Sequence, residues 1–202
     1  MTHHGSQQHD IAPVEKRLKA IEAVFDARGL TQGTAVADLE HMAQEEWLPQ
    51  NGARVVAKAW IDPAFRARLL ANGRAAVAEL GLTMPRHHRH LVALENTPTV
   101  QNVICCTLCS CTAFTIVGLP PDWYKDLEYR ARVVRQSRTV LREMGLDLPP
   151  EVEIRVWDTT ADTRYMVLPV QPPETVGWSE EKLAQIVTRD SMFGVARLQA
   201  GS

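Results

Sequence analysis

The sequence predicts an α+β fold on three observations. Apolar residues recur at helical spacing over the first eighty positions, over 120–145 and near the C-terminus. Short apolar or alternating runs of strand length fall near 91–105 and 152–169. Proline, glycine and capping residues separate these segments. In order, residues 1–13 are polar, end at Pro13 and are read as a disordered N-terminus. Val14, Leu18, Ile21 and Phe25 then mark an amphipathic helix that stops at Gly29. A second helix follows Thr34, with Val36, Leu39, Met42, Ala43 and Trp47 on one side, and ends at Pro49. Residues 14–50 are expected to form an arm that embraces another subunit, because a bare apolar stripe would be an exposed patch. The alternative is that both helices fold back on this chain's own core.

A third helix starts at Pro63, where proline suits the first turn, and runs through Phe65, Leu69, Leu70, Ala76, Val77 and Leu80 to Gly81. Leu91–Leu94 and Val100–Cys105 read as short buried strands split by Asn96-Thr97-Pro98. Pro120-Pro121 opens a helix through Trp123, Leu127, Ala131 and Val134, and another covers Ser137 to Gly145. Val152 to Val156 alternates as a half-buried strand does, and Arg164 to Pro169 is a further strand. Pro172 and Pro173 mark a loop. Ser179 caps a final helix with Glu180 and Glu181 in its first turn.

The 202 residues suffice to bury a sizeable core. A formal charge of −2 and a pI near 6.4 give no electrostatic footprint for nucleic acid or an anionic membrane surface, so neither partner is expected. No apolar run approaches the roughly 20 residues that span a bilayer, and the start Met1-Thr2-His3-His4-Gly5 lacks the regions of a signal peptide. A cytoplasmic protein is expected. All four cysteines crowd into 105–111, which argues against a secreted disulfide framework.

That cluster is the chemical signal. Cys106-Thr107-Leu108-Cys109-Ser110-Cys111 places three thiols in six residues. Soft thiolates select soft or borderline transition metals, and C-x-x-C lets two sulfurs reach one ion. The C-x-C half fits a relaxed tetrahedral zinc less easily, and a closed structural zinc needs a fourth ligand from elsewhere. If the amides of Ser110 and Cys111 also bind, each closes a small chelate ring with a neighbouring sulfur. Structural zinc, an iron–sulfur cluster and a redox thiol pair are the competing readings. The cluster reading is weak because Cys105 points its side chain away from Cys106 on extended backbone and suits a small buried hydrophobe. His87-His88-Arg89-His90 taken alone suggests a histidine metal site. Trp123 and Tyr124 read as core and subunit-contact aromatics, and Arg130, Arg132 and Arg135 as a solvated face or interface rim.

The stretch Glu95-Asn96-Thr97-Pro98 through Cys106–Cys111 to Gly118-Leu119-Pro120-Pro121-Asp122-Trp123-Tyr124-Lys125 resembles the alpha subunit of nitrile hydratase. Ala59 to Arg66, Val156-Trp157-Asp158, Arg164 to Pro169 and Val187-Thr188-Arg189-Asp190 extend the resemblance over residues 14 to 196. It implies a four-layer α-β-β-α body behind an extended N-terminal helical arm, with 51–202 as the catalytic metal-binding domain. It also implies an axial thiolate at Cys106, a sulfinate at Cys109, a sulfenate at Cys111, and main-chain nitrogen ligands from Ser110 and Cys111. Thr107 after the first cysteine is similar to cobalt-type members and favours non-corrin cobalt(III), Co(3+), with iron(III), Fe(3+), as the alternative. The expected reaction is hydration of a small-molecule nitrile to its amide, with attack by water or by the Cys111 sulfenate oxygen. The expected partners are a beta subunit, whose two arginines hold the cysteine oxygens, and a metallochaperone or activator protein.

Two segments depart from the family pattern. His87 stands where many members carry glutamine beside the metal pocket, and is expected, with Thr107 and Phe114, to line it; His88 and Arg89 are expected to be solvated. Thr112 to Val117 replaces a Pro-Trp-Pro-Val-Leu stretch, so Phe114 in place of tryptophan admits a bulkier or aromatic nitrile, as in the toyocamycin nitrile hydratase subgroup. The rivals are the gamma subunit of thiocyanate hydrolase, which shares the motif, and a non-catalytic cobalt- or zinc-binding protein.

Overall fold

The computed structural model describes residues 13–29 and 32–199. The expectation for residues 1–13 lies outside the described residues except at Pro13. The chain divides into two compact units, residues 1–42 and 43–202. The first holds α1 (Val14–Ala27) and α2 (Gln32–His41). No α1 residue is buried, and Val14, Leu18, Ile21, Val24 and Phe25 are 41–67% exposed. A π-helical turn, Met42–Glu46, leads into the second unit.

There α3 (Pro49–Ile61) takes Pro49 as its first residue, so the proline that reads as a helix end is a helix start. Its Gly52 lets it lie close to its neighbours, since a Cβ there would meet the Met192 sulfur at 2.5 Å and the Ile116 carbonyl oxygen at 2.9 Å. The single helix expected over 63–81 is two, α4 (Pro63–Ala71) and α5 (Gly73–Glu79). Asn72 breaks it: its side-chain oxygen accepts from the Ala75 amide at 3.1 Å, and its own backbone is extended. Asp62 caps α4 in the same way, accepting from the Phe65 amide at 2.9 Å.

Four strands form two parallel pairs. β1 (His90–Glu95) pairs with β4 (Thr163–Leu168), with Leu91 opposite Arg164 and Leu94 opposite Val167. β2 (Val100–Cys105) pairs with β3 (Glu153–Asp158), with Val103 opposite Val156 and Cys105 opposite Asp158. β2 lies against β4, which brings Val103, Ile104, Met166, Val167 and Leu168 into one buried seam. Between β2 and β3 run α6 (Phe114–Val117), α7 (Asp122–Lys125) and α8 (Leu127–Glu143). The first helix expected over 120–145 is divided at Asp126 into α7 and the first part of α8, and the second is the last part of α8, which carries non-helical backbone at Gln136, where the expected break falls. Helices α4 and α5 cover β1 and α8 covers β3, giving four layers in the order α-β-β-α. After the 3₁₀ turn Pro173–Thr175, α9 (Glu180–Ile186) starts at the Ser179 cap, whose hydroxyl accepts from the Lys182 amide at 3.3 Å. A further helix, α10 (Arg189–Phe193), lies beyond the expected last one.

Candidate metal centre

β2 ends at Cys105, whose side chain is fully buried and whose carbonyl accepts from the Thr159 amide at 3.0 Å. Beyond that bond the chain leaves the sheet and coils into the loop 106–113. Each turn of this loop is held by a group from another element. Asp158, at the end of β3, accepts from both the amide and the hydroxyl of Thr107 at 2.9 and 2.5 Å. Arg130 on α8 donates to the Cys109 carbonyl at 2.9 Å. The Tyr124 hydroxyl donates to the Cys111 carbonyl at 3.1 Å, and Thr159 reaches the same oxygen at 3.4 Å. Tyr129 donates to the Ile104 carbonyl at 3.0 Å. Burial raises both phenols far above their ordinary range, so they act only as neutral donors.

Held this way, the three sulfurs converge. Cys106 and Cys109 lie 3.3 Å apart, Cys109 and Cys111 2.8 Å, and all three sulfurs fall within 4.8 Å of one another. Among the described residues this is the one group of three or more His, Cys, Asp or Glu side chains so arranged. Cys106 is buried beneath, 2% exposed, Cys111 is half-buried, and Cys109 is exposed. Burial pushes the Cys106 thiol up, but hydrogen bonds from Thr159 and from the amides of Cys111 and Cys109 outweigh it and bring it down to about 7. Burial and the adjacent Cys109 push Cys111 up to about 12. Burial, with Asp158 nearby, likewise pushes Cys105 up to about 12, keeping it a neutral thiol in the core. Three sulfurs on one short loop, one of them poised near neutral pH, fit a soft or borderline metal ion.

His87 and Phe114 enter a row of rings. Trp47 meets Phe114 edge-on at 4.7 Å, Phe114 meets His88 at 5.4 Å, and His88 meets His87 at 4.4 Å. His87 is exposed. His88 is not solvated as expected: it is 2% exposed, and its Nδ1 has no partner among the described residues. The ring of Phe114 covers it, and the sequence window alone could not show that cover. Burial, then the charges of Arg164 and His87, lower its pKa to about 4. Arg130, expected on a solvated face or interface rim, is half-buried and also reaches the loop. Thr159 and Tyr129 have no sequence signal of their own, and Asp158 has one only within the Val156-Trp157-Asp158 segment, because their role depends on where β3 and α8 lie.

A shallow cleft of about 480 Å³ beside the loop is lined by Thr107, Leu127, Arg130, Ala131, Val134 and Arg135. Leu108 (91% exposed) and Leu127 (74%) stand bare near it. A second cavity, of about 450 Å³, lies by the start of β2, with Asn96, Gln101, Pro149 and Arg197 on its wall and none of the sulfurs. No helix among the described residues is long and apolar enough to cross a membrane.

The family model described as nitrile hydratase, alpha chain, matches residues 12–196. The low-molecular weight cobalt-containing nitrile hydratase subunit alpha of Rhodococcus rhodochrous is 46% identical over 183 residues, covering 91% of this chain and 88% of that one. The thiocyanate hydrolase subunit gamma of Thiobacillus thioparus is 44% identical over 158 residues, 73% of this chain and 65% of its own. Among solved structures, a double histidine-to-alanine variant of the Fe-type nitrile hydratase from Comamonas testosteroni Ni1 superposes with a TM-score of 0.84 at 58% identity, covering 92% of this chain and 90% of that one.

Proposed function

The chain belongs to the nitrile hydratase alpha-chain family, and we propose that it is the metal-binding subunit of an enzyme that hydrates a nitrile to its amide. The observation that carries this reading is the convergence of the Cys106, Cys109 and Cys111 sulfurs on one loop. These thiolates hold the ion, with the main-chain nitrogens of Ser110 and Cys111 as further ligands. The ion supplies Lewis acidity that makes a bound nitrile carbon electrophilic. Cys106 anchors the site from below, where burial shields it from oxidants. Cys109 and Cys111, nearer the surface, would be oxidised by dioxygen to a sulfinate and by peroxide, with release of water, to a sulfenate. These oxidised sulfurs donate less electron density than thiolates and place anionic oxygens beside the substrate. A water held by the Cys111 oxygen would add to the nitrile carbon while its protons pass to the nitrile nitrogen, giving the amide; if the Cys111 oxygen itself adds, a water at the Cys111 sulfur would replace it and release the amide. Phe114, standing where the family carries tryptophan, favours a bulky or aromatic nitrile, and Thr107 and His87 border the substrate.

Thr107 and the cobalt-containing Rhodococcus relative support cobalt(III). The higher identity to the Fe-type Comamonas structure supports iron(III) as a second reading. A separately encoded beta subunit closes the exposed side of the loop, an accessory protein loads the metal, and the setting is cytoplasmic. The experiment is co-expression with the beta subunit in cobalt- and in iron-supplemented cells, followed by metal analysis and assay on acrylonitrile, benzonitrile and thiocyanate. Amide formation with one metal per chain is expected. Carbonyl sulfide from thiocyanate with no amide from either nitrile would shift the reading to thiocyanate hydrolysis, and metal binding without turnover to a metal-binding protein.

A further inference from the structure

Three of the arginines of α8 make hydrogen bonds through their side chains, and one of them differs from the other two. Arg132 pairs with Glu128 and Glu143 at 2.9 and 2.7 Å. Arg138 donates to the Leu148, Pro149 and Val152 carbonyls and pins α8 to the start of β3. Arg130 has no carboxylate partner among the described residues. Its Nη1 holds the Cys109 carbonyl at 2.9 Å, and its Nε is buried with no hydrogen-bond partner. Because its Nε is shut from solvent, the head group lies against the loop and does not swing free. The group it faces is the loop on which the three thiols gather.

The contact point gives the interaction a chemical meaning. The Cys109 carbonyl oxygen belongs to the peptide whose nitrogen is that of Ser110. That peptide links the Cys109 and Cys111 sulfurs, which lie 2.8 Å apart, so its orientation sets how the two thiols face each other. The donor is a cation, and hydrogen bonds with an ionised partner are roughly twice as strong as neutral ones, so this single bond from α8 is enough to hold that peptide. We infer that Arg130, by holding the Cys109 carbonyl, fixes the Cys109–Ser110 peptide in the orientation in which the three sulfurs converge, and thereby raises the affinity of the loop for a thiophilic ion. It touches neither substrate nor reacting atoms and is a positioning residue. The inference rests on the metal-binding reading and adds to it a cation from this same chain.

The test uses the full-length chain made without metal, titrated aerobically with cobalt(II) against a competing chelator, for the wild type, Arg130→Gln and Arg130→Lys. The melting temperature of each metal-free protein is measured alongside. Loss of a hydrogen bond to a charged group predicts affinity weakened roughly ten- to hundredfold in Arg130→Gln, with the metal-free melting temperature unchanged. Arg130→Lys keeps the charge and should recover part of the affinity. A shift of the sulfur-to-metal absorption band in Arg130→Gln is also expected, because the Cys109 sulfur is carried on the peptide that is released. Wild-type affinity and an unmoved band in Arg130→Gln would overturn the inference while leaving the metal site intact. So would an affinity loss that Arg130→Lys fails to recover and that tracks a fall in melting temperature. A wild type that takes up neither cobalt nor iron would remove the metal-binding reading, and this inference with it.

Discussion

Cys106, Cys109 and Cys111 are chemically identical residues that the loop places in three environments, buried, exposed and half-buried, and that difference is what a selective oxidation needs. Each is expected to be indispensable to metal retention, since loss of any sulfur opens an edge of the chelate. Alanine at any one of the three should abolish tight binding, as read by metal content after gel filtration. Cys105→Ala should leave metal content unchanged and cost about 1 kcal/mol through lost packing. Full occupancy in Cys109→Ala would refute the ligand set. His88 makes a prediction about pH. Its folded pKa, about 4, lies below the unfolded value near 6.5, so the unfolded chain binds more protons between the two. The neutral buried ring therefore contributes stability that is complete above pH 6.5 and is lost as pH falls through 4. Melting curves of the wild type should drop across that window, and His88→Gln should flatten the drop; an equal slope in both would remove His88 as its source.

At the level of elements, the sequence was legible where a residue acts on its own neighbours. Pro63, the Ser179 cap, the β2 limits and the break near Gln136 are local effects, and each falls where the pattern places it. Asn72 was missed because its side chain competes for an amide three residues on without interrupting the apolar spacing. The short α6 and α10 were missed because four or five residues are too few to show a period. Gly194 ends α10 in left-handed backbone at φ 83°, and a Cβ there would lie 1.9 Å from the Asn102 carbonyl oxygen on β2. Gly194→Ala should therefore destabilise the chain by about 3 kcal/mol, a fall of roughly 6–12 °C in Tm for a protein of this size. A change under about 2 °C would mean that α10 and β2 can separate freely.

For the whole molecule, the open question is what covers α1. Five apolar side chains stand exposed along it, which is the stripe expected of an arm that grips another chain. We expect Leu18→Glu with Ile21→Glu to reduce co-purification of the beta subunit sharply while leaving the melting temperature of the isolated chain unchanged. Undiminished co-purification would assign the arm another task. The α+β class, the strand positions and the identity of the three sulfurs could be read from the sequence, because periodicity and spacing are properties of neighbouring residues. Tertiary structure alone decided that Asp158, Thr159, Tyr124 and Arg130 grip the loop, that His88 is buried, and that Cys106 lies beneath while Cys109 is exposed. The grip on the loop depends on the parallel pairing of β2 with β3 and on where α7 and α8 lie, which bring residues 13 to 51 positions apart into contact. Contacts of that range leave no periodic trace in the chain, because each partner is chosen by where its element ends and not by what stands beside it.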